Sequence, residues 1–233
     1  MKQQSLKKIS VLIPVFNEDN TVLETIRRVR EVEVPGFEKE IIVIDDGSTD
    51  ATREKLRAVS GIRLIMHGTN QGKGAAVKSG LAVVAGDIVL IQDADLELDP
   101  VHFPDLLRSL CDGQAQVVFG SRFINVPNEL RGWHYHGNKL LTAITNAVLG
   151  TDLTDEATCY KVMKTETMKE LDLQSNGFDV DIEITAKLAK KGYQIDEIPV
   201  SYNRRTRKEG KKIRLFYDGA KTLLKLVRFY YWD

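Results

Sequence analysis

Asp93-Ala94-Asp95 stands out chemically in this 233-residue chain. It follows the apolar run Ile88-Val89-Leu90-Ile91. In an extended segment alternate side chains share a face, so Asp93 and Asp95 would point the same way, and Glu97 would join them if the extension continued. Hard divalent ions such as Mg2+ and Mn2+ take oxygen ligands, commonly one or two carboxylates with substrate phosphates completing the shell. A cation held there would neutralise charge building on a departing diphosphate. The bland reading is a carboxylate pair that caps a helix starting near Pro100, or an acidic turn. The position of the triplet directly after a strand-like run favours the metal reading.

Two further loops carry chemistry. In Asp45-Asp46-Gly47-Ser48-Thr49-Asp50, Gly47 suits a positive φ and Asp50 suits a helix cap. Asp45 and Asp46 are left as adjacent acids at a strand end, able to accept hydrogen bonds from a nucleobase N–H or a ribose hydroxyl. In Asn70-Gln71-Gly72-Lys73-Gly74 the glycines, the base and the helix that follows resemble a phosphate loop. The spacing is not that of a Walker A loop. Lys73 could meet donor phosphates or be an ordinary surface lysine.

These loops need a scaffold that gathers them. Nearly unbroken, β-branched runs at Ile9–Pro14, Glu40–Ile44, Ile62–Met66, Asp87–Gln92 and Gln116–Phe119 read as strands buried on both faces. Helical patterns lie between them near Asp19–Val32, Asp50–Val59, Gly74–Ala85 and Pro100–Leu110. The alternation predicts an α/β fold with a mostly parallel sheet, whose ligands bind beyond the carboxyl ends of the strands. After Arg122 the rhythm changes. Ile124–Gly137 reads as a long polar, aromatic loop, followed by a helix near Asn138–Leu149. Cys159–Met163 reads as a strand that could run antiparallel, Val180–Lys190 as a helix and Gln194–Val200 as a strand.

Formal net charge is zero, so overall charge selects no partner. Its distribution is uneven: Asn203–Arg228 holds ten Lys/Arg against two Asp/Glu, a local balance of +8. A basic end of this kind meets something anionic. Ile213–Trp232 has the i, i+3, i+4 spacing of an amphipathic helix with a basic stripe and a terminal Tyr-Tyr-Trp. It would lie in a bilayer interface, dock on the core, or form a dimer contact. The expected division is a catalytic domain over 1–205 and a basic amphipathic extension over 206–233. Cys111 and Cys159 have no zinc-type spacing and read as free thiols. Neither a signal peptide nor a run of about 18 apolar residues is present. The expected location is therefore cytoplasmic, peripheral on the membrane if it meets one. No helix-turn-helix or RNA-binding signature appears, so nucleic acid is not an expected partner. Oligomeric state is not legible.

Taken together, the chain resembles family 2 glycosyltransferases, within them the polyprenyl (dolichol)-phosphate mannosyl- and glucosyltransferase branch. The resemblance rests on Ile9–Glu18, Val43–Asp50, Asn70–Gly74, Gln92–Asp95, Gly120-Ser121-Arg122, Thr154–Lys161 and Glu209–Ile213, in matching order over nearly the whole chain. It implies the GT-A fold, a Rossmann-like mixed sheet flanked by helices. Pro14, Phe16, Glu18 and Asp46 would then border the nucleoside. Gln92, Asp93, Ala94, Asp95 and Lys73 would meet the donor, GDP-mannose or UDP-glucose. Asp93, Asp95 and Glu97 would hold Mg2+ or Mn2+. Arg122 and the basic 205–212 segment, with Arg205, Arg207 and Lys211, would meet the phosphate of a polyprenyl-phosphate acceptor. Asp155 would sit near the sugar or acceptor pocket with Thr158 beside it, and His134 is a further acceptor-binding candidate. Many relatives carry an Arg near His134, and many continue into transmembrane helices where this chain stops at Asp233.

The expected reaction is in-line, inverting displacement at the anomeric carbon, with Asp95, Asp155 and Arg122 as its central residues. A phosphate acceptor is anionic near neutral pH and needs positioning more than a base. A saccharide hydroxyl acceptor would need a base, for which Asp155 is the candidate. Two rivals remain. A sugar-nucleotide pyrophosphorylase would open with a glycine-rich loop, where this chain has Val15-Phe16-Asn17-Glu18. A non-catalytic nucleotide-sugar-binding or scaffold module would have no need of the acid set.

Overall fold

The structure is a computed structural model that describes residues 8–113, 115–124, 132–205, 225–226 and 228–231, without the side chains of Trp133 and His134. Seven strands form one sheet in the order β3-β2-β1-β4-β6-β5-β7. They are β1 (Lys8–Val15), β2 (Glu38–Asp45), β3 (Arg63–Met66), β4 (Ile88–Ile91), β5 (Val117–Ser121), β6 (Lys161–Lys164) and β7 (Ile195–Pro199). β1 pairs in parallel with β2 and β4, β2 with β3, and β5 with β7. β6 runs antiparallel between β4 and β5. The sheet is thus mixed and mostly parallel, as the alternation of runs and helical patterns predicts.

The central strands are apolar on both faces because both faces are covered. Ile9, Val11 and Ile13 of β1 pack with α1 (Val22–Glu31), α2 (Thr52–Arg57) and α4 (Phe103–Cys111) through Val22, Ile26, Leu56, Phe103 and Leu106. On the opposite face Leu12, Ile42, Ile44 and Ile91 meet α3 (Lys73–Leu81) and α7 (Val180–Lys190) through Ala76, Val77, Ile184 and Leu188. Each such fully buried side chain contributes about 1.5–3 kcal/mol by leaving water. Strand order reverses between β1 and β4. That reversal opens a crevice at their carboxyl ends.

The second half departs from the sequence reading at three points. α5 (Trp133–Leu149) begins five residues before the predicted Asn138, with Gly132 extended at its N-cap. Aromatic and His residues are mediocre helix formers, but packing overrides that weak preference. A short helix α6 (Thr165–Glu170) follows β6 without having been predicted. Lys161, expected in a strand, is fully buried there. Its ammonium lies 3.7 Å from the centre of the Phe119 ring and donates to the Glu156 carbonyl and Thr185 Oγ1.

Most of the C-terminal extension lies outside the described residues. Residues 225–226 and 228–231 are helical. Leu226 and Phe229 are buried against Leu149, Ile182 and Ala186, while Tyr231 is exposed. Lys225 pairs with Asp179 at 2.5 Å. This end of the extension therefore docks on α5 and α7. Among the described residues no helix is long and apolar enough to cross a membrane. Cys111 is exposed, Cys159 is buried, and both are free.

Candidate active site

A cavity of about 310 Å³ occupies the crevice. Pro14, Phe16 and Glu18 line it from the end of β1, Asp46 from β2, Lys73 from the start of α3, and Asp93, Ala94 and Asp95 from the end of β4. Glu97 and Arg205 close its rim. The sheet therefore brings together loops that are up to 187 residues apart in the chain, the separation of Arg205 from Glu18.

The acids are unequal. Asp93 faces Lys73, with Nζ–Oδ1 at 3.1 Å, and the same ammonium reaches Asp181 at 3.0 Å. Burial works against the Lys73 charge, but the carboxylates of Asp181 and Asp93 outweigh it and hold the ammonium above its ordinary value. Asp95 accepts from Arg205 Nη2 at 3.2 Å and from the Glu97 amide at 3.0 Å. Burial, then the charges of Asp93 and Glu97, raise its carboxyl to about 6. The extended strand ends at Ile91, short of the expected alternation, and Ala94 and Asp95 lie in a turn that Leu96 continues with φ 60°. Glu97 reaches the same rim beyond that turn. Its oxygens accept from the Arg205 amide at 3.0 Å and the Tyr202 hydroxyl at 3.2 Å.

This donor set fits a hard divalent ion. It offers carboxylate oxygens from Asp93 and Asp95 on one cavity, with Glu97 at the rim. Among the described residues no group of three His, Cys, Asp or Glu side chains is arranged to hold a metal. The predicted triad of Asp93, Asp95 and Glu97 is thus not a closed cage. An open site with two protein carboxylates is the form Mg2+ takes when phosphates supply further ligands.

Asp46 and the glycine-rich loop do different work from that expected. Asp46 is 3% exposed. Its oxygens accept from the amides of Gln71 and Gly72 at 2.9 and 2.7 Å, from Asn70 Nδ2 at 2.9 Å, and face His67 Nδ1 at 2.7 Å. That fills the carboxylate's acceptor sites. Asp46 therefore lines the cavity and pins the 70–72 loop, its oxygens engaged within the chain. Asp45 is fully buried and paired with Arg53 at 2.6 Å. The amides of Gly74 and Ala75 donate to the carbonyls of Gly177 and Asn176. Two of the N–H groups that could make this helix N-terminus an anion site are thus spent on the chain itself. Gly72 and Gly74 are required by this packing: a Cβ on either would lie 2.3 Å from the Asn176 or Ser175 carbonyl oxygen. This loop lines the cavity with Asn70, Gly72 and Lys73, and Lys73 brings its charge.

Gln92 does not line the cavity. It is fully buried, donates to the Asp93 carbonyl at 2.9 Å and accepts from the Tyr160 hydroxyl at 2.7 Å. It holds the acidic turn in place. Arg122 and Asp155 form a buried bidentate pair, Nε–Oδ2 2.6 Å and Nη2–Oδ1 2.7 Å, with the Arg122 amide on Oδ2 at 3.0 Å. The guanidinium lies 5.2 Å from the Phe123 ring centre and 5.3 Å from that of Tyr202. Burial opposes the Arg122 charge, yet Asp155 holds it above its usual value. Asp155, fully buried, is here the partner of Arg122 and not an open base. Thr158 is also fully buried, its hydroxyl accepting from the Tyr160 amide. Arg205 ion-pairs with Glu18 at 2.8 Å and with Asp95, on the cavity itself. The His134 side chain, Arg207 and Lys211 lie outside the described residues.

Comparison with known proteins gives a consistent picture. The family model described as glycosyl transferase family 2 matches residues 10–172. The dolichol-phosphate mannosyltransferase of Pyrococcus furiosus is 28% identical over 95% of this chain, which spans 64% of that relative's length. Glycosyltransferase AglJ of Haloferax volcanii is 28% identical over 94% of this chain and 71% of its own. The fold matches glucosyl-3-phosphoglycerate synthase of Mycobacterium tuberculosis, crystallised with Mn2+, UDP-glucose and phosphoglyceric acid, at TM-score 0.72. Identity there is 24%, over 96% of this chain and 79% of that one.

Proposed function

The chain belongs to glycosyl transferase family 2, and from that premise we propose that it is a glycosyltransferase that moves a hexose from a nucleotide-diphosphate sugar to a polyprenyl phosphate with inversion. The observation that carries this reading is the acidic rim at the β1/β4 crevice, set beside Lys73 in a cavity bounded by Pro14, Phe16 and Arg205. Asp93 and Asp95 are the residues that would hold a divalent cation. When bound, that cation supplies charge neutralisation to the departing diphosphate. The mannosyltransferase relative and the Mn2+, UDP-glucose complex of the structural neighbour support a nucleotide-sugar donor of this class, GDP-mannose or UDP-glucose.

The chain's own groups orient the reactants. An acceptor phosphate oxygen attacks the anomeric carbon as the bond to the diphosphate oxygen breaks. Lys73 offers positive charge on the leaving side. Arg205 sits over Asp95 and Glu18 and can turn to an anion that enters the rim. Sequestration of Asp155 by Arg122 favours an acceptor that is already anionic over a hydroxyl that must lose a proton. The basic run 203–228 supports a membrane-surface substrate, reached peripherally. Transfer of radiolabelled sugar to polyprenyl phosphate, compared with free saccharides, tests the reading. Label in the lipid fraction is expected; label in saccharides alone rejects the lipid acceptor.

A pH dependence follows from Asp95. Its carboxyl, raised to about 6, must be ionised to hold a cation. Mn2+ affinity should be level above about pH 7 and weaken below pH 6, approaching about tenfold per pH unit as one linked proton is bound. Titration calorimetry in buffers of different ionisation enthalpy reads that proton directly. Affinity constant from pH 5 to 7.5 would remove Asp95 from the site.

A further inference from the structure

We propose that Lys73 is a built-in counter-ion of the acidic rim, and that Asp181 is the positioning residue that lets it surrender Asp93 to an incoming divalent cation. The inference rests on the metal reading above and adds a residue to it. Lys73 lies between two carboxylates, 3.1 Å from Asp93 and 3.0 Å from Asp181. Its side chain is 8% exposed and that of Asp181 13%, whereas Asp93 is 31% exposed and faces the cavity. A cation arriving at Asp93 must displace the ammonium. A buried ammonium left without a counter-charge is strongly unfavourable. Asp181 supplies that counter-charge behind the cavity wall.

The geometry keeps Lys73 with Asp181 and not with Asp93. Lys73 opens α3, and the next two amides are bonded to the carbonyls of Gly177 and Asn176, just ahead of Asp181 at the start of α7. The two helix ends form one corner. Asp93 belongs to the separate turn after β4. Asp181 also has capacity in reserve: its Oδ1 is buried with no hydrogen-bond partner among the described residues. An ammonium has three donors, and the one that leaves Asp93 finds this acceptor on the carboxylate it already touches. No local motif marks Asp181. Its partner is 108 residues away.

The test is binding of Mn2+ alone, read by electron paramagnetic resonance of the free ion, to wild type, Asp181→Asn, Lys73→Ala and the double variant. Asn keeps the shape and removes the charge, so Lys73 stays on Asp93, and Mn2+ should bind at least about tenfold more weakly. Lys73→Ala removes the competitor and should bind at least as tightly as wild type. In the double variant nothing competes for Asp93, and affinity should return to within about threefold of Lys73→Ala, a coupling that a general structural defect would not give. Asp181→Asn binding like wild type overturns the inference and leaves the metal reading standing. So does a double variant as weak as Asp181→Asn. Where Mn2+ alone does not bind wild type, the series is read with UDP present, and absence of Mn2+ binding under both conditions overturns both readings. Should Asp181→Asn fail to fold, Lys73→Ala decides: weaker binding than wild type is incompatible with Lys73 as a competitor.

Discussion

Asp95→Asn should lose about a thousandfold in kcat/KM for sugar transfer, on the scale of removing a group aimed at charge developing in the transition state. The same substitution should leave the melting temperature unchanged or raise it. Asp95 is ionised at neutral pH against burial and against the charges of Asp93 and Glu97, which together raise its carboxyl from 3.8 to about 6. A raised carboxyl means that the folded chain holds its proton more tightly than the unfolded chain. The ionised side chain therefore lowers stability as pH rises from about 4 through 6, and the full penalty is present at pH 7.5. Asn carries no such penalty. The melting temperature of the variant relative to wild type should thus be higher at pH 7.5 than at pH 5. A group placed for stability behaves in the opposite way. Near-normal transfer by this variant would contradict its place in the site.

Asp155→Ala has the largest expected effect on stability. It strands the Arg122 guanidinium, 12% exposed, without the carboxylate that meets its Nε, Nη2 and backbone amide. Breaking a buried pair by removing one partner costs about 3–5 kcal/mol. For a chain of this size that is a fall in melting temperature on the order of 10 °C. Removing both charges, as Arg122→Met with Asp155→Leu, should recover most of the loss, because the unpaired charge and not the missing attraction is the main cost. Differential scanning calorimetry of wild type, the single variant and the double variant reads both effects. A loss below about 1 kcal/mol for Asp155→Ala would mean that water reaches the pair. In that case Asp155 becomes available as a base for a hydroxyl acceptor.

The parts of this molecule that were legible in the sequence are those written locally. Runs such as Ile9–Pro14 and Asp87–Gln92 are apolar throughout because both faces of β1 and β4 are covered, and the residues after them reach the cavity because parallel strands end together. Asp93, Asp95, Phe16 and Lys73 were found in this way. Parts that depend on distant pairing were not. Nothing near Asp181 marks it as the partner of Lys73. Nothing near Asn176 indicates that its carbonyl uses up an α3 amide, which turned a phosphate loop into a packed corner. Nothing near Arg205 indicates that it spans 110 residues to Asp95. For Asp46 and Gln92, spacing alone does not reveal that their polar atoms are engaged within the chain. The antiparallel β6 is short, and only its neighbours β4 and β5 define its direction.

Calorimetric titration of UDP-glucose and of GDP-mannose into the protein, with Mn2+ and then with excess chelator, tests the central claim most directly. The acidic rim predicts that one of the two binds when Mn2+ is present and that chelation removes this binding. Equal affinity with and without the metal, or binding that survives Asp93→Asn together with Asp95→Asn, would contradict it.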